Sequence, residues 1–179
     1  MFTPHTNVQT YRKGMGMSRR NVLITLITVA ATSFALMANA SNPAEITGTI
    51  EQRFAPIHSE VQLQDYLVDM PATSPLLDLS DEARARFVSS LKFNHAGLVS
   101  YSYADVQAEL TATQAYRLLA LFGAQRTLRL LPDLEIRTAD DERVMHSLTP
   151  SLFLDHPGYE CTGSSTCSIS SHKICMGGC

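Results

Sequence analysis

The sequence predicts a mainly α-helical domain, a small helical bundle ending in a disulfide-stapled and largely irregular C-terminal tail. Three observations carry this expectation. Helix-start signals recur between residues 58 and 155, each followed by apolar residues at helical spacing. All four cysteines, Cys161, Cys167, Cys175 and Cys179, fall within the last 19 residues. The segment from Pro157 onward is rich in Gly, Ser and Thr and poor in large apolar groups. An α+β arrangement with short strands near 98–103 and 151–155 is the alternative.

The helical elements follow in chain order. Ser59 with Gln62 forms a capping-box pattern, and Val61, Leu63, Tyr66, Leu67 and Met70 give a helical stripe that Pro71 stops. Ser80 precedes Asp81 and Glu82, acids suited to a helix N-terminus, and Ala83, Phe87 and Leu91 continue that helix to Phe93 or Asn94. Asn94-His95-Ala96-Gly97 then reads as a cap and turn. Leu98 to Tyr103 alternates, with Val99, Tyr101 and Tyr103 opposite Ser100 and Ser102, which favours a short extended segment. Asp105 to Leu110 forms a helical turn. The clearest helix is Thr111 to Gly123, where Thr111 and Gln114 form a second capping box and Ala115, Leu118, Leu119 and Phe122 share a face. Gln125 to Leu131 continues helically until Pro132 forbids it. Thr138 starts a last helix that runs to about Ser147, with Asp140, Asp141 and Glu142 as a solvated first turn and His146 in its last turn.

The N-terminal 40 residues have a different character. Arg12, Lys13, Arg19 and Arg20 precede a run of 17 residues, Val22 to Ala38, without a charged side chain, and Ala38-Asn39-Ala40 supplies the small residues a signal peptidase reads. This is the pattern of an export signal, with cleavage expected before Ser41. Ser18-Arg19-Arg20-Asn21-Val22-Leu23-Ile24 is twin-arginine-like, and an ordinary secretory signal is the other route. An uncleaved inner-membrane anchor through 22–38 is the alternative to cleavage. The expected organisation is an extension and signal at 1–40, an irregular mature N-terminus at 41–57, a helical domain at 58–155 and a cysteine-rich tail at 156–179. The 139 residues from Ser41 onward are enough for one domain with its own core.

Export changes what the cysteines mean. An even number at the spacing C-x5-C-x7-C-x3-C in an oxidising compartment points to two disulfides, and four cysteines allow three pairings that sequence does not separate. His156 and His172 stand among them as alternative zinc ligands, but no C-x2-C pair is present, so no metal or other cofactor is expected. Thr162, Ser164, Ser165, Thr166, Ser168, Ser170 and Ser171 are the raw material for thioether crosslinks in a modified peptide precursor. A redox role is disfavoured by the absence of C-x-x-C.

Charge and motif content narrow the function classes. Ten of the 14 Lys and Arg and all 17 Asp and Glu fall after residue 40, giving the mature chain a formal charge of −7. So acidic a chain, with scattered basic residues, is not expected to bind nucleic acid. Membrane association is expected only if the signal segment stays uncleaved. His58, His95, His146, His156 and His172 form no H-x3-H or H-E-x-x-H pattern, no G-x-S-x-G elbow is present, and no catalytic residue is assigned. Asp140, Asp141 and Glu142 are consecutive on a helix and point in different directions, so they do not converge on one ion. The leading expectation is an exported, periplasmic or secreted, non-enzymatic protein whose disulfide-stabilised C-terminal segment binds a protein or small ligand. A precursor of a modified Cys/Ser/Thr-rich peptide is the second reading. An exported enzyme pairing His95 or His156 with a distant Ser or acid is the third.

Overall fold

The computed structural model describes residues 50–148, 155–163 and 165–179. Arg19, Arg20, Ala38, Ala40 and the apolar run 22–38 lie outside the described residues, as does most of the alternative strand at 151–155. Helices make up 46% of the described region and strands 24%, the latter in one four-stranded antiparallel sheet. The expected mainly α bundle with an irregular tail is therefore corrected to an α+β fold.

The described chain begins with the short helix α1 (Ile50–Arg53), followed by α2 (Glu60–Val68), a 3-10 turn at Pro75–Asp78 and α3 (Asp81–Ser90). A hairpin of β1 (Lys92–Asn94) and β2 (Gly97–Ser102) leads into α4 (Ala104–Glu109), α5 (Ala112–Ala120) and a 3-10 segment at Gln125–Leu130. After α6 (Ala139–Ser147) the chain ends in a second hairpin, β3 (His156–Gly163) and β4 (Thr166–Cys175). The sheet order is β1-β2-β4-β3, so the cysteine-bearing β4 is an interior strand.

Capping chemistry sets the helix starts. Ser59 accepts the Gln62 N–H, while the Gln62 side chain accepts from His58, one residue earlier than in an ordinary capping box. Thr111 with Gln114 and Thr138 with Asp141 form complete reciprocal boxes. Helix α5 ends in a Schellman arrangement, with the Gly123 N–H on the Ala120 carbonyl (3.3 Å) and the Ala124 N–H on the Leu119 carbonyl (2.9 Å). Gly123 has φ 65°, and a Cβ there would stand 2.5 Å from the backbone of Gln52. That close approach seats α1, whose Gln52 amide donates to the Leu98 carbonyl from a buried position.

Two local departures from the expected pattern create the sheet. Helix α3 stops at Ser90 rather than at Phe93 or Asn94, because Ser89 and Ser90 turn their hydroxyls back onto the Arg86 and Phe87 carbonyls (2.8 and 2.7 Å). Ser90 Oγ also accepts the Ser102 N–H (2.9 Å), which starts the chain on its way into β1. Gly97, with φ 120°, then closes the β1–β2 hairpin, assisted by Asn94 Oδ1 accepting the Ala96 N–H. In the second departure, the tail enters the core: Ile174, Cys175 and Met176 are fully buried. Ile174 and Met176 join Phe87, Tyr101, Leu118, Phe122 and Leu128, and Phe87 lies edge-on to both Tyr101 and Phe122 at 6.1 Å. The buried Tyr101 hydroxyl pairs with Thr127 Oγ1 at 2.6 Å, joining the sheet to the 3-10 segment, and burial pushes its pKa upward.

Candidate functional site

The site is built by the second hairpin. Ser165, at φ 61°, turns the chain so that Cys161 faces Cys167, Glu160 faces Ser168 and Tyr159 faces Ile169. Beyond that point β4 advances from Ile169 to Ile174 while β3 covers only Tyr159 to Pro157, so the residues around His172 bulge out of the ladder. His172 takes φ 56°, its carbonyl accepts the Tyr103 N–H (2.8 Å), and its ring lies 5.8 Å from the Tyr103 ring. The bulge carries β4 across to β2, where Cys175 pairs with Ser100 and Ile174 with Tyr101.

The segment after β4 is held at each step. Met176 N–H donates to Val99 O (2.8 Å), Gly177 N–H to Asp155 Oδ1 (2.8 Å), and Asn94 Nδ2 to Gly178 O (2.6 Å). The Cys179 carbonyl accepts the Ser165 N–H at 2.7 Å, which returns the chain to the hairpin turn. Two disulfides complete the arrangement: Cys161–Cys179 and Cys167–Cys175, with Cα separations of 5.7 and 5.9 Å. All four cysteines singled out in the sequence are thus brought together, and the structure has one of the two pairings in which both bonds run from the hairpin tip to the buried end of β4 and the turn after it, Cys161 to Cys179 and Cys167 to Cys175.

These bonds frame a cleft of about 700 Å³ between the tail and the β1–β2 hairpin. Phe93, Val99 and Met176 give it apolar surface, both disulfides contribute to its walls, and Lys92, Asn94, His95 and His156 supply polar groups. Lys92 Nζ donates to the Cys161 carbonyl (3.0 Å) and pairs with Glu160 (2.5 Å), which also pairs with Lys173 (2.8 Å). Hydrogen bonds from Lys173 first and Lys92 second hold the Glu160 carboxyl down to about 2. Two ammonium groups share one carboxylate, which leaves a net positive charge beside Cys161.

The sequence-derived histidines are distributed differently. His95 and His156 both line the cleft, whereas the second zinc-ligand candidate, His172, packs on Tyr103 in the bulge. His58 and His146 are exposed beside helix ends. Among the described residues neither His95 nor His156 donates to or accepts from a Ser, Asp or Glu side chain, so no nucleophile–base–acid arrangement forms there. The Cys161, Cys175 and Cys179 sulfurs lie within 4.8 Å of one another, but each belongs to a disulfide and is not a thiolate ligand in this oxidised form.

The acidic turn at 140–142 needs correction in one respect. Asp140 and Glu142 are exposed, but Asp141 is buried rather than solvated, and its carboxylate accepts N–H groups from Thr113, Arg137 and Thr138 (2.8, 3.1 and 2.9 Å). Thr113 leads the interactions that hold its pKa well below the ordinary aspartate range, with burial opposing them. It is a joint between α5 and α6, away from the cleft.

Lys92, Asn94, Val99, Met176 and Gly178 were not singled out for function by sequence reasoning. The signal for the first two was the N-H-A-G turn, since a turn flanked by an alternating segment is a hairpin pattern. Among the described residues no helix is long and apolar enough to cross a membrane. The chain matches no protein-family model, no curated protein and no solved structure.

Proposed function

We propose that the protein is exported through its N-terminal signal and works outside the cytoplasm as a non-enzymatic binding module, with its ligand seated in the cleft between the β1–β2 hairpin and the disulfide-tied tail. The observation that carries this reading is that both disulfides form part of the cleft wall. A preformed concave surface with an apolar floor and a few polar groups is the usual form of a ligand site, and fixing its walls in advance lowers the ordering cost of binding. The two disulfides fit a protein that matures outside the reducing cytoplasm. The groups on offer suit a small ligand, or the end of a larger one, with an apolar body against Val99 and Met176 and an acceptor or anionic group near Lys92, Asn94 and His95. The crosslinked-peptide reading needs free thiols, and in this form all four are engaged with one another. The enzyme reading pairs His95 or His156 with a Ser or an acid, and among the described residues neither histidine makes such a contact.

The test is a panel of small carboxylates, phosphates and short peptides added to the isotope-labelled mature chain. The expected result is saturable amide and methyl shifts at Val99, Met176, His95 and His156, with the probe recovered unchanged. Shifts located elsewhere, or chemical conversion of a probe, contradict the proposal.

A further inference from the structure

Cys161 and Cys167 stand directly opposite each other in the β3–β4 ladder, yet they are not bonded to each other. Directly opposed antiparallel positions have Cα atoms about 4.5–5.5 Å apart, within the range a disulfide spans. Their actual partners, Cys179 and Cys175, are separated by only Met176, Gly177 and Gly178, and their sulfurs lie within 4.8 Å of each other and of the Cys161 sulfur. A second complete pairing, Cys161–Cys167 with Cys175–Cys179, is therefore compatible with the strand register. Cys175 is fully buried, whereas Cys161, Cys167 and Cys179 are half-buried and line the cleft.

We infer that the four cysteines form a thiol–disulfide exchange site, at which a small or protein-borne thiolate entering the cleft interconverts these two pairings. The thiolate attacks Cys179 Sγ, forming a mixed disulfide and breaking the Cys161–Cys179 bond, whose electron pair leaves on Cys161. The Cys161 thiolate attacks Cys167 across the hairpin, forming Cys161–Cys167 and releasing the Cys175 thiolate. Cys175 then attacks Cys179 Sγ in the mixed disulfide, forming Cys175–Cys179 and expelling the original thiolate. Two disulfides enter and two leave, so the thiol is a catalyst and no net oxidant or reductant is consumed. The Lys92–Glu160–Lys173 group, with its net positive charge beside Cys161, favours the thiolate formed in the first step.

The two pairings differ in what they hold together. In the observed one both bonds cross from the hairpin tip to the buried end of β4 and its following turn. In the second, one bond lies within the hairpin tip and one within the Cys175–Cys179 turn, and no disulfide ties the tip to the end of β4 and its following turn. Exchange at this site therefore unties the hairpin tip from the turn after β4 on the tail side of the cleft, an effect that is independent of whether the cleft binds a ligand.

The chain carries its own readout, because cleavage after Lys173 separates the Cys161/Cys167 segment from residues 174–179. The folded mature chain is incubated with sub-stoichiometric reduced glutathione, quenched with acid and N-ethylmaleimide, and cut after lysine without reduction. The expected result is unlinked, internally oxidised fragments from protein of unchanged intact mass, about tenfold or more above the thiol-free control. Fragments that stay linked until both bonds are reduced overturn the inference. So does equal formation of the other crossing pairing, Cys161–Cys175 with Cys167–Cys179, which tandem mass spectrometry distinguishes and which marks indiscriminate scrambling. A Cys167→Ser/Cys175→Ser variant provides the control: with a single bond left, its fragments separate only with reduction.

Discussion

Arg126 and Asp155 form a two-point ion pair almost excluded from solvent, Nε to Oδ2 at 2.9 Å and Nη2 to Oδ1 at 3.1 Å, with side chains only 9% and 2% exposed. Arg126 lies just after the Gly123 cap of α5, and Asp155 immediately precedes β3. Because Asp155 Oδ1 also accepts the Gly177 N–H, one carboxylate joins the helical layer, the entry to the second hairpin and the turn after β4. Removing one partner of a buried pair strands the other, at a cost of about 3–5 kcal/mol. Asp155→Ala should lower the urea-unfolding free energy by that amount; a loss below about 1 kcal/mol would mean that the pair is solvated in solution.

Gly123 and Gly158 make a matched comparison. Both have positive φ, 65° and 82°, but a Cβ at Gly158 meets nothing within 4 Å, whereas one at Gly123 meets the Gln52 backbone at 2.5 Å. Gly158→Ala should cost only the left-handed backbone term of about 1–2 kcal/mol. Gly123→Ala should cost distinctly more and displace α1, read as faster hydrogen exchange at the Ile57 N–H that bonds Leu121. Equal costs in chemical denaturation would show that α1 is not seated there.

The Glu160 carboxyl titrates at about 2 in the fold against 4.5 when free. Its contribution is therefore complete above pH 4.5 and is lost as the pH falls through about 2. Glu160→Gln should be less stable than the parent at pH 6, and the two should converge as the pH approaches 2. A difference independent of pH across that interval would show that the Lys92 and Lys173 contacts do not involve the charged carboxylate.

The disulfides close loops with separations of 8 and 18 residues. Chain-entropy arguments assign them about 2.5 and 3 kcal/mol. Cys167→Ser/Cys175→Ser and Cys161→Ser/Cys179→Ser should each lose roughly that much in denaturant unfolding, and the first should also loosen the bulge around His172. Variants as stable as the parent would mean that the hairpin is held by the sheet alone.

Much of the helical layer is legible in the sequence because capping is local chemistry. Ser59, Ser80, Thr111 and Thr138 each announce a helix start that the structure contains. Of the sheet, the segment at 98–103 is legible by its alternation and becomes β2, but the other strands are illegible for the opposite reason. Leu91 continues the helical spacing of Ala83 and Phe87, and the hydroxyls of Ser89 and Ser90, one of them bonded to distant Ser102, divert the chain into β1. In the tail, Ile174 and Met176 look isolated among small polar residues, and their burial depends on a bulge that resets the register of β4 by several residues. The pairing of Cys161 with Cys179 rather than with its cross-strand neighbour depends on that same bulge. The cysteines and His156 could be named as site candidates from the sequence, but Lys92, Val99 and Asn94 enter the cleft only through long-range pairing.

The C-terminal hairpin, residues 156–163 and 165–179, is part of the core sheet and a wall of the cleft rather than a stapled appendage. Amide hydrogen exchange on the oxidised mature chain measures this directly. The Met176 N–H, which donates to Val99 O at 2.8 Å, should exchange as slowly as the amides of α5 around Leu119. Exchange of Met176 near the rate of an unstructured peptide, with α5 still protected, would contradict the account, because the cleft would then lack a fixed wall.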